Sequence, residues 1–213
     1  MERKKLILST GNADKIKEIK EILKDLSVDI LSKGDLGLGD LEVEENGDTL
    51  EENAIIKANA LAERVDGADD TGLFVEYLNG APGVHSARYG GEEHNYKKNN
   101  EKLLEELKDV PIDKRSAYFE TVIAIVLEDK SIRTLRGRCN GIIGLEPVGD
   151  KGFGYDPLFI PEGYEQSFAK LGEDIKNEIG HRGKALNQLK REMDKILKGD
   201  GNEDICNKWY PWK

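Results

Sequence analysis

Cysteine, histidine and long apolar runs are scarce in this chain, and basic residues are outnumbered. Of its 213 residues two are cysteine, Cys139 and Cys206, and three are histidine. Two distant cysteines form neither a C-x-x-C pair nor a disulfide framework, so a reducing cytoplasm is the expected compartment. His85, His94 and His181 lack metal-ligand spacing, which argues against a zinc site. The longest apolar run, Val122 to Leu127, is strand-sized and too short to span a membrane. The basic start, Met1 to Leu8, has too short an apolar core for a signal peptide. Against 32 Lys and Arg stand 42 Asp and Glu, a net charge of -10. Long-range repulsion therefore disfavours polynucleotides and anionic membranes as partners. A small anion is not excluded, because local geometry can overrule the global sign.

What is present reads as alternating strands and helices. Lys5 to Leu8 suits a buried strand, and Ser9 to Asn12 a turn. Ile16, Ile19, Leu23 and Leu26 then keep helical spacing over Ala13–Leu26, with Asn12 or Asp14 as its cap. Val28 to Leu31 suits a second strand. Thr49 and Glu52 form a capping box that opens a helix to about Val65. Phe74 to Tyr77 suits a short strand, Gly80 to Gly91 a loop, and Glu92 to Leu107 a polar amphipathic helix. Ser116–Glu128 and Ser131–Ile143 read as a hairpin turning at Asp129-Lys130. Tyr155 to Ile160 suits a strand and Gly183 to Leu197 a last helix. This order predicts an α/β fold, a mixed central sheet flanked by helices. No Pro/Ser-rich linker divides it. We expect one two-lobed domain over residues 1–198 with a nucleotide cleft between its lobes, and a tail over 199–213.

Five segments offer chemistry. Thr10-Gly11-Asn12-Ala13-Asp14-Lys15 lies at a strand-to-helix turn, where unpaired N–H groups suit either phosphate or a simple helix cap. It is not a Walker loop, since no G-x-x-x-x-G-K-[ST] occurs. From Asp40 to Asn53 the chain carries seven acids and no base, which suits a hard cation or a solvated face. Lys57 follows among apolar neighbours and either snorkels outward or points into a cleft. Asp69-Asp70-Thr71-Gly72 offers a metal ligand and a general base, or an acidic turn. Its adjacent aspartates exclude the Asp-x-Asp-x-Thr motif of haloacid-dehalogenase-type phosphatases. Gly152-Phe153-Gly154-Tyr155-Asp156-Pro157 lacks the third glycine of a dinucleotide fingerprint. Its aromatics and carboxylate suit a flat base or a packed core. Finally, Lys176 to Arg191 holds five bases and one acid, a local inversion of the global sign.

The order and spacing of six motifs carry more than each alone. These are Ser9-Thr10-Gly11-Asn12 with Lys15, Glu44-Glu45 with Glu52-Asn53-Ala54 and Lys57-Ala58, Asp69 to Leu73, Asn79 to Tyr89, Gly152 to Pro157, and Lys176-Asn177 with His181-Arg182. Together they resemble the inosine triphosphate pyrophosphatases, the noncanonical purine NTP pyrophosphatases also called the Ham1-like family. The resemblance runs from about Leu6 to Leu197. It implies hydrolysis of ITP, dITP, XTP or dXTP between the α- and β-phosphates, giving monophosphate and pyrophosphate. It also implies Mg²⁺ and a homodimer.

By that resemblance Asp70 is the general base and, with Glu45, holds the metal, with Glu44 as the adjacent alternative. Thr10, Gly11, Asn12, Ala13, Asp14 and Lys15 cradle the triphosphate with Lys57, and Thr71 sits beside the reacting phosphate. Phe153, Gly154, Tyr155 and Asp156 form the base site, closed by Lys176, His181 and Arg182. Hypoxanthine and xanthine present an O6 acceptor, suiting Arg182 or backbone N–H groups, and an N1–H donor, suiting Asp156. Adenine's amino group leaves those donors unpaired. Two positions depart from the family pattern: Gly180 replaces serine and His85 replaces tyrosine. A nucleotide-binding regulator without turnover, and a pyrophosphatase of modified pyrimidine nucleotides, are the competing readings.

Overall fold

The computed structural model describes residues 4–26, 28–39, 43–62, 68–126 and 132–198. The tail over 199–213, Asp40 and Glu42, the Val65 helix end and the Asp129-Lys130 turn lie outside the described residues. The elements run β1 (Lys4–Leu8), α1 (Ala13–Ile22), β2 (Val28–Ser32), α2 (Leu50–Ala62), β3 (Ala68–Val75), β4 (Pro82–Gly83) and α3 (Tyr96–Leu107). They continue as β5 (Ser116–Val126), β6 (Ile132–Ile143), β7 (Phe159–Pro161), α4 (Phe168–Leu171), α5 (Glu173–Ile179) and α6 (His181–Lys198). β1 and β2 pair in parallel, Leu6 opposite Ile30, and a second sheet has the order β4-β3-β5-β6-β7. The fold is mixed α/β, as the alternation predicts. Among the described residues no helix is long and apolar enough to cross a membrane.

The chain divides into two compact units, and β3, β5, β6 and α6 contribute residues to both. The first comprises the described residues within 4–70, 122–136 and 185–198. Its core sets Leu6 and Leu8 of β1 and Val28 of β2 against Ile19 of α1 and Leu23 just after it, with Ile123, Ile125, Ala185, Leu186 and Leu189. Parallel strands buried this way read as apolar runs, and burying each large side chain is worth about 1.5–3 kcal/mol. α1 stops at Ile22, short of the expected Leu26, because Leu23 and Leu26 close a tight turn, Leu26 N–H donating to Leu23 C=O at 2.9 Å. Leu26 still reaches the core. The capping box forms as read: Glu52 N–H donates to Thr49 Oγ1 at 3.1 Å and Thr49 N–H to Glu52 Oε2 at 3.2 Å. Ala54 and Ala58, both fully buried, face inward on α2 together with Asn53 and Lys57.

The second unit comprises residues 71–121 and 137–184. Leu73 and Val75 of β3, Leu103 and Leu107 of α3, Phe119 of β5, Ile143 of β6 and Phe159 of β7 share its core. Buried Arg115 ties this core to its loops, donating from Nε to Val110 C=O at 2.9 Å and from Nη1 to Gly144 C=O at 2.9 Å.

Several expected boundaries move. The strand read over Phe74–Tyr77 begins earlier, at Ala68, and Glu76–Leu78 is a 3-10 turn. The helix read from Glu92 begins at Tyr96, capped by Asn95 Oδ1 accepting from Lys98 N–H at 3.1 Å. The strand read over Tyr155–Ile160 is confined to Phe159–Pro161, because residues 154–158 form turns. The last helix begins at His181, two residues before the expected Gly183.

Candidate functional site

In the first unit the described structure gathers Lys15, Glu45, Lys57, Asp69 and Asp70. Asn12 caps α1, its Oδ1 accepting from Asp14 N–H at 2.9 Å and Lys15 N–H at 3.2 Å. Thr10 Oγ1 accepts from Asn12 N–H at 3.2 Å, so the Thr10–Lys15 loop is preorganised by its own polar groups. Gly11 and Ala13 are exposed and Asp14 is half-buried. Lys15 Nζ pairs with Asp69 Oδ2 at 3.1 Å. One residue on, Asp70 Oδ1 lies 2.8 Å from Lys57 Nζ, and Glu45 Oε1 lies 3.3 Å from the same ammonium. Ser9 Oγ donates to Lys57 C=O at 3.4 Å, joining the end of β1 to α2. Lys57 neither snorkels nor stays free; it is buried between two carboxylates.

Glu44 is exposed while Glu45 faces Lys57, which separates two acids that the sequence left equivalent. Elsewhere in the acidic stretch, Glu51 pairs with Arg136 at 3.0 Å and Glu52 serves the cap. Burial alone would lower the Lys57 ammonium, but Asp70, Glu45 and Asp69 outweigh it and hold it above its ordinary value. Burial raises the Asp70 carboxyl above its ordinary 3.8, against the pull of Lys57 and Lys15. Asp70 Oδ2 is buried with no hydrogen-bond partner. No group of three or more His, Cys, Asp or Glu that could hold a metal occurs among the described residues. Two carboxylates with a bare buried oxygen do suit a hard cation that keeps waters for its remaining ligands.

The second unit gathers Phe153, Asp156, Lys176, Arg182 and Thr71. Gly152 takes φ +73, and a Cβ there would lie 2.2 Å from Asp156 Oδ2, so only glycine lets the turn close. Asp156 Oδ2 accepts from Phe153 N–H at 2.8 Å and from Lys176 Nζ at 2.6 Å, and both side chains of the ion pair are buried. Lys176 Nζ also stands 4.3 Å from the Phe153 ring centre, and the Arg182 guanidinium 5.7 Å from it. Arg182 Nη2 donates to Thr71 Oγ1 at 3.3 Å, and Thr71 and Thr121 share a hydroxyl hydrogen bond of 2.8 Å. Burial pushes the Arg182 guanidinium down to about 10, which leaves it charged at neutral pH.

Two further residues expected at the base site, Tyr155 and His181, pack against core groups. Tyr155 is buried, its hydroxyl donating to Ser86 C=O at 2.9 Å, and buried His181 stacks on Phe119 with ring centres 4.6 Å apart. Gly180 ends α5, its N–H donating to Lys176 C=O at 2.8 Å. A Cβ there would meet that carbonyl oxygen at 2.3 Å, so this tight turn excludes a serine without a backbone shift. His85 is exposed beside Arg88, 3.3 Å from its guanidinium.

The sequence reading names Asp69 without its partner Lys15, and it leaves Lys33, Tyr96 and Asn100 out. Lys33 crosses Gly11, its Cε 3.2 Å from where a Cβ would stand. On α3, Tyr96 and Asn100 share a face at i,i+4 spacing. The Tyr96 ring lies 6.0 Å from that of Phe153, and Asn100 Nδ2 donates to Gly154 C=O at 3.0 Å. That spacing was the available signal, but the helix read only as polar.

A family model described as the Ham1 family matches residues 6–192. The chain belongs to that family. A dITP/XTP pyrophosphatase of Clostridium perfringens is 49% identical over 204 residues, covering 92% of this chain and 100% of that protein. One of Bacillus subtilis is 42% identical over 194 residues, covering 90% and 98%. The solved HAM1 protein of Coxiella burnetii has a TM-score of 0.80 at 37% identity, covering 90% of this chain and 98% of its own. The Staphylococcus aureus Ham1 protein gives 0.79 at 36%, covering 93% and 100%. Family membership thus spans both the carboxylate–lysine cluster and the Phe153–Asp156 turn.

Proposed function

We propose that this chain hydrolyses deaminated purine nucleoside triphosphates, dITP and XTP with their ITP and dXTP counterparts, to the monophosphate and pyrophosphate. The observation that carries the reading is the near-half identity to dITP/XTP pyrophosphatases over more than nine-tenths of the chain. The residues support it chemically. Asp70 is raised by burial toward a working base and takes a proton from the attacking water. The bond between the α- and β-phosphates breaks, and pyrophosphate departs with the bonding pair. Lys15 and Lys57, with Thr10 to Asp14, would meet phosphate oxygens, and positioning with charge neutralisation is most of what phosphoryl transfer needs.

Glu45 and Asp70 would hold Mg²⁺, which when bound supplies positive charge at the phosphates. Phe153 and Gly154 would offer a stacking surface, while Asp156 accepts N1–H and Arg182 donates to O6, with Lys176 holding Asp156. Tyr155 and His181 would support this set from the core. The net charge of -10 favours free nucleotides over polynucleotides. A cytoplasmic homodimer completes the reading.

The test is pyrophosphate release from dITP, XTP, ITP, ATP and GTP, with and without Mg²⁺. Release from dITP and XTP far above ATP is expected. Tight dITP binding without pyrophosphate would refute the proposal.

A further inference from the structure

Two carboxylates and one ammonium meet at one spot in the first unit, Lys57 and Asp70 buried and Glu45 half-buried. Lys57 Nζ contacts Asp70 Oδ1 at 2.8 Å and Glu45 Oε1 at 3.3 Å. Those are the two acids that the proposed reading assigns to the metal. Asp70 Oδ2 stands beside them, buried and without a hydrogen-bond partner. A divalent cation binding both acids must come closer to each than the ammonium does, since Mg²⁺ takes oxygen at about 2.0–2.1 Å. Lys57 holds one oxygen of each acid, Asp70 Oδ1 and Glu45 Oε1, so the ammonium and a cation drawn to the same two carboxylates crowd and repel each other. The backbone of α2 is fixed by fully buried Ala54 and Ala58, whereas the lysine stem has four flexible carbons. The mobile party is the side chain.

We propose that Lys57 is the placeholder of the metal site: it holds Glu45 and Asp70 together without metal and must leave when a divalent cation enters. The displaced ammonium then meets the triphosphate, a limb that rests on the function proposed above. Coupling follows. A nucleotide that draws Lys57 away frees the carboxylate pair for metal, and metal that expels Lys57 delivers a cation to the phosphates. By linkage each ligand strengthens the other by the same factor.

The experiment titrates Mn²⁺ into the full chain, read by electron paramagnetic resonance, with no nucleotide present. Lys57→Met should bind Mn²⁺ about tenfold or more tightly than wild type, while Lys57→Arg, which keeps the cation, should stay as weak as wild type. With α,β-imido-dITP present, phosphate oxygens add ligands in both proteins, so Mn²⁺ affinity should rise in both, and in wild type by about tenfold more than in Lys57→Met. Amine labelling read by mass spectrometry needs no variant: Lys57 of the wild type should be protected without metal and labelled once Mn²⁺ is added. Equal Mn²⁺ affinity in wild type and Lys57→Met, or Lys57 labelling indifferent to Mn²⁺, overturns the proposal. These readouts stand apart from turnover. Displacement without pyrophosphate release from dITP sinks the function alone, and turnover without displacement sinks the placeholder alone.

Discussion

The Lys176–Asp156 pair separates structure from recognition in one set of variants. Asp156→Asn keeps an oxygen for Phe153 N–H, now bonded at 2.8 Å, and removes only the charge that faces Lys176 at 2.6 Å. Lys176 is 5% exposed and Asp156 1%, so the pair lies out of reach of bulk water. Removing one charge of a buried ion pair costs about 3–5 kcal/mol. In a chain of this size that is a fall of about 6–20 °C in melting temperature, measured by calorimetry or by denaturant unfolding. Adding Lys176→Met removes the opposing charge as well and fills its stem's volume against Phe153. The double variant should recover most of the lost stability. Activity should not follow. If Asp156 accepts N1–H of the base, its charged hydrogen bond is worth about 1.5–3 kcal/mol, or about 10- to 150-fold in kcat/KM for dITP. That loss should persist in the double variant. A single variant less than about 1 kcal/mol weaker would refute the energetics. Recovery of kcat/KM in the double variant would show that Asp156 acts only by holding Lys176.

Four further outcomes follow from the same geometry. Asp70→Asn should lower turnover at least about a hundredfold while dITP affinity stays within about tenfold, read by pyrophosphate release and equilibrium binding. Burial raises the folded Asp70 carboxyl above 3.8, so the folded state holds that proton more tightly than the unfolded chain. Its contribution in metal-free protein is therefore greatest below pH 3.8 and declines as pH rises above it. The stability difference between wild type and Asp70→Asn should shift against wild type over that window in denaturant titrations. Asn100→Ala strips the donor from Gly154 C=O, worth about 1 kcal/mol, so KM for dITP should rise about fivefold with kcat little changed. Gly152→Ala puts a Cβ into Asp156 Oδ2, whereas Gly154→Ala, at φ +65, meets open space. The first should cost well over the about 1 kcal/mol of the second in unfolding experiments.

Local chemistry made much of this legible. Asn12 and the Ile16, Ile19, Leu23 spacing announce α1, and Thr49 with Glu52 announces α2, because caps and helical periods are written within a few residues. β3 departs from the local expectation for the opposite reason. Aspartate is a poor strand former, yet Asp69 and Asp70 lie within β3, facing Lys15 of α1 and Lys57 of α2. Tertiary ion pairing overrode the local preference. The same holds for Asn100, whose partner Gly154 is 54 residues away, and for Tyr155 and His181, aromatic rings whose fate is decided by core neighbours.

The acid excess behaves differently once its partners are known. As a composition it speaks only against polyanions. In the fold, Glu51 and Glu52 go to an ion pair and a cap, while Glu45 and Asp70 face buried Lys57 and Asp69 faces half-buried Lys15. Burial makes those contacts strong, and it also raises the Asp70 carboxyl despite two lysines beside it. A group held by cations yet kept reluctant to ionise is costly for folding and useful for moving a proton. That conflict between stability and chemistry falls on Asp70 and Lys57, and it is where sequence propensity and structure part most sharply.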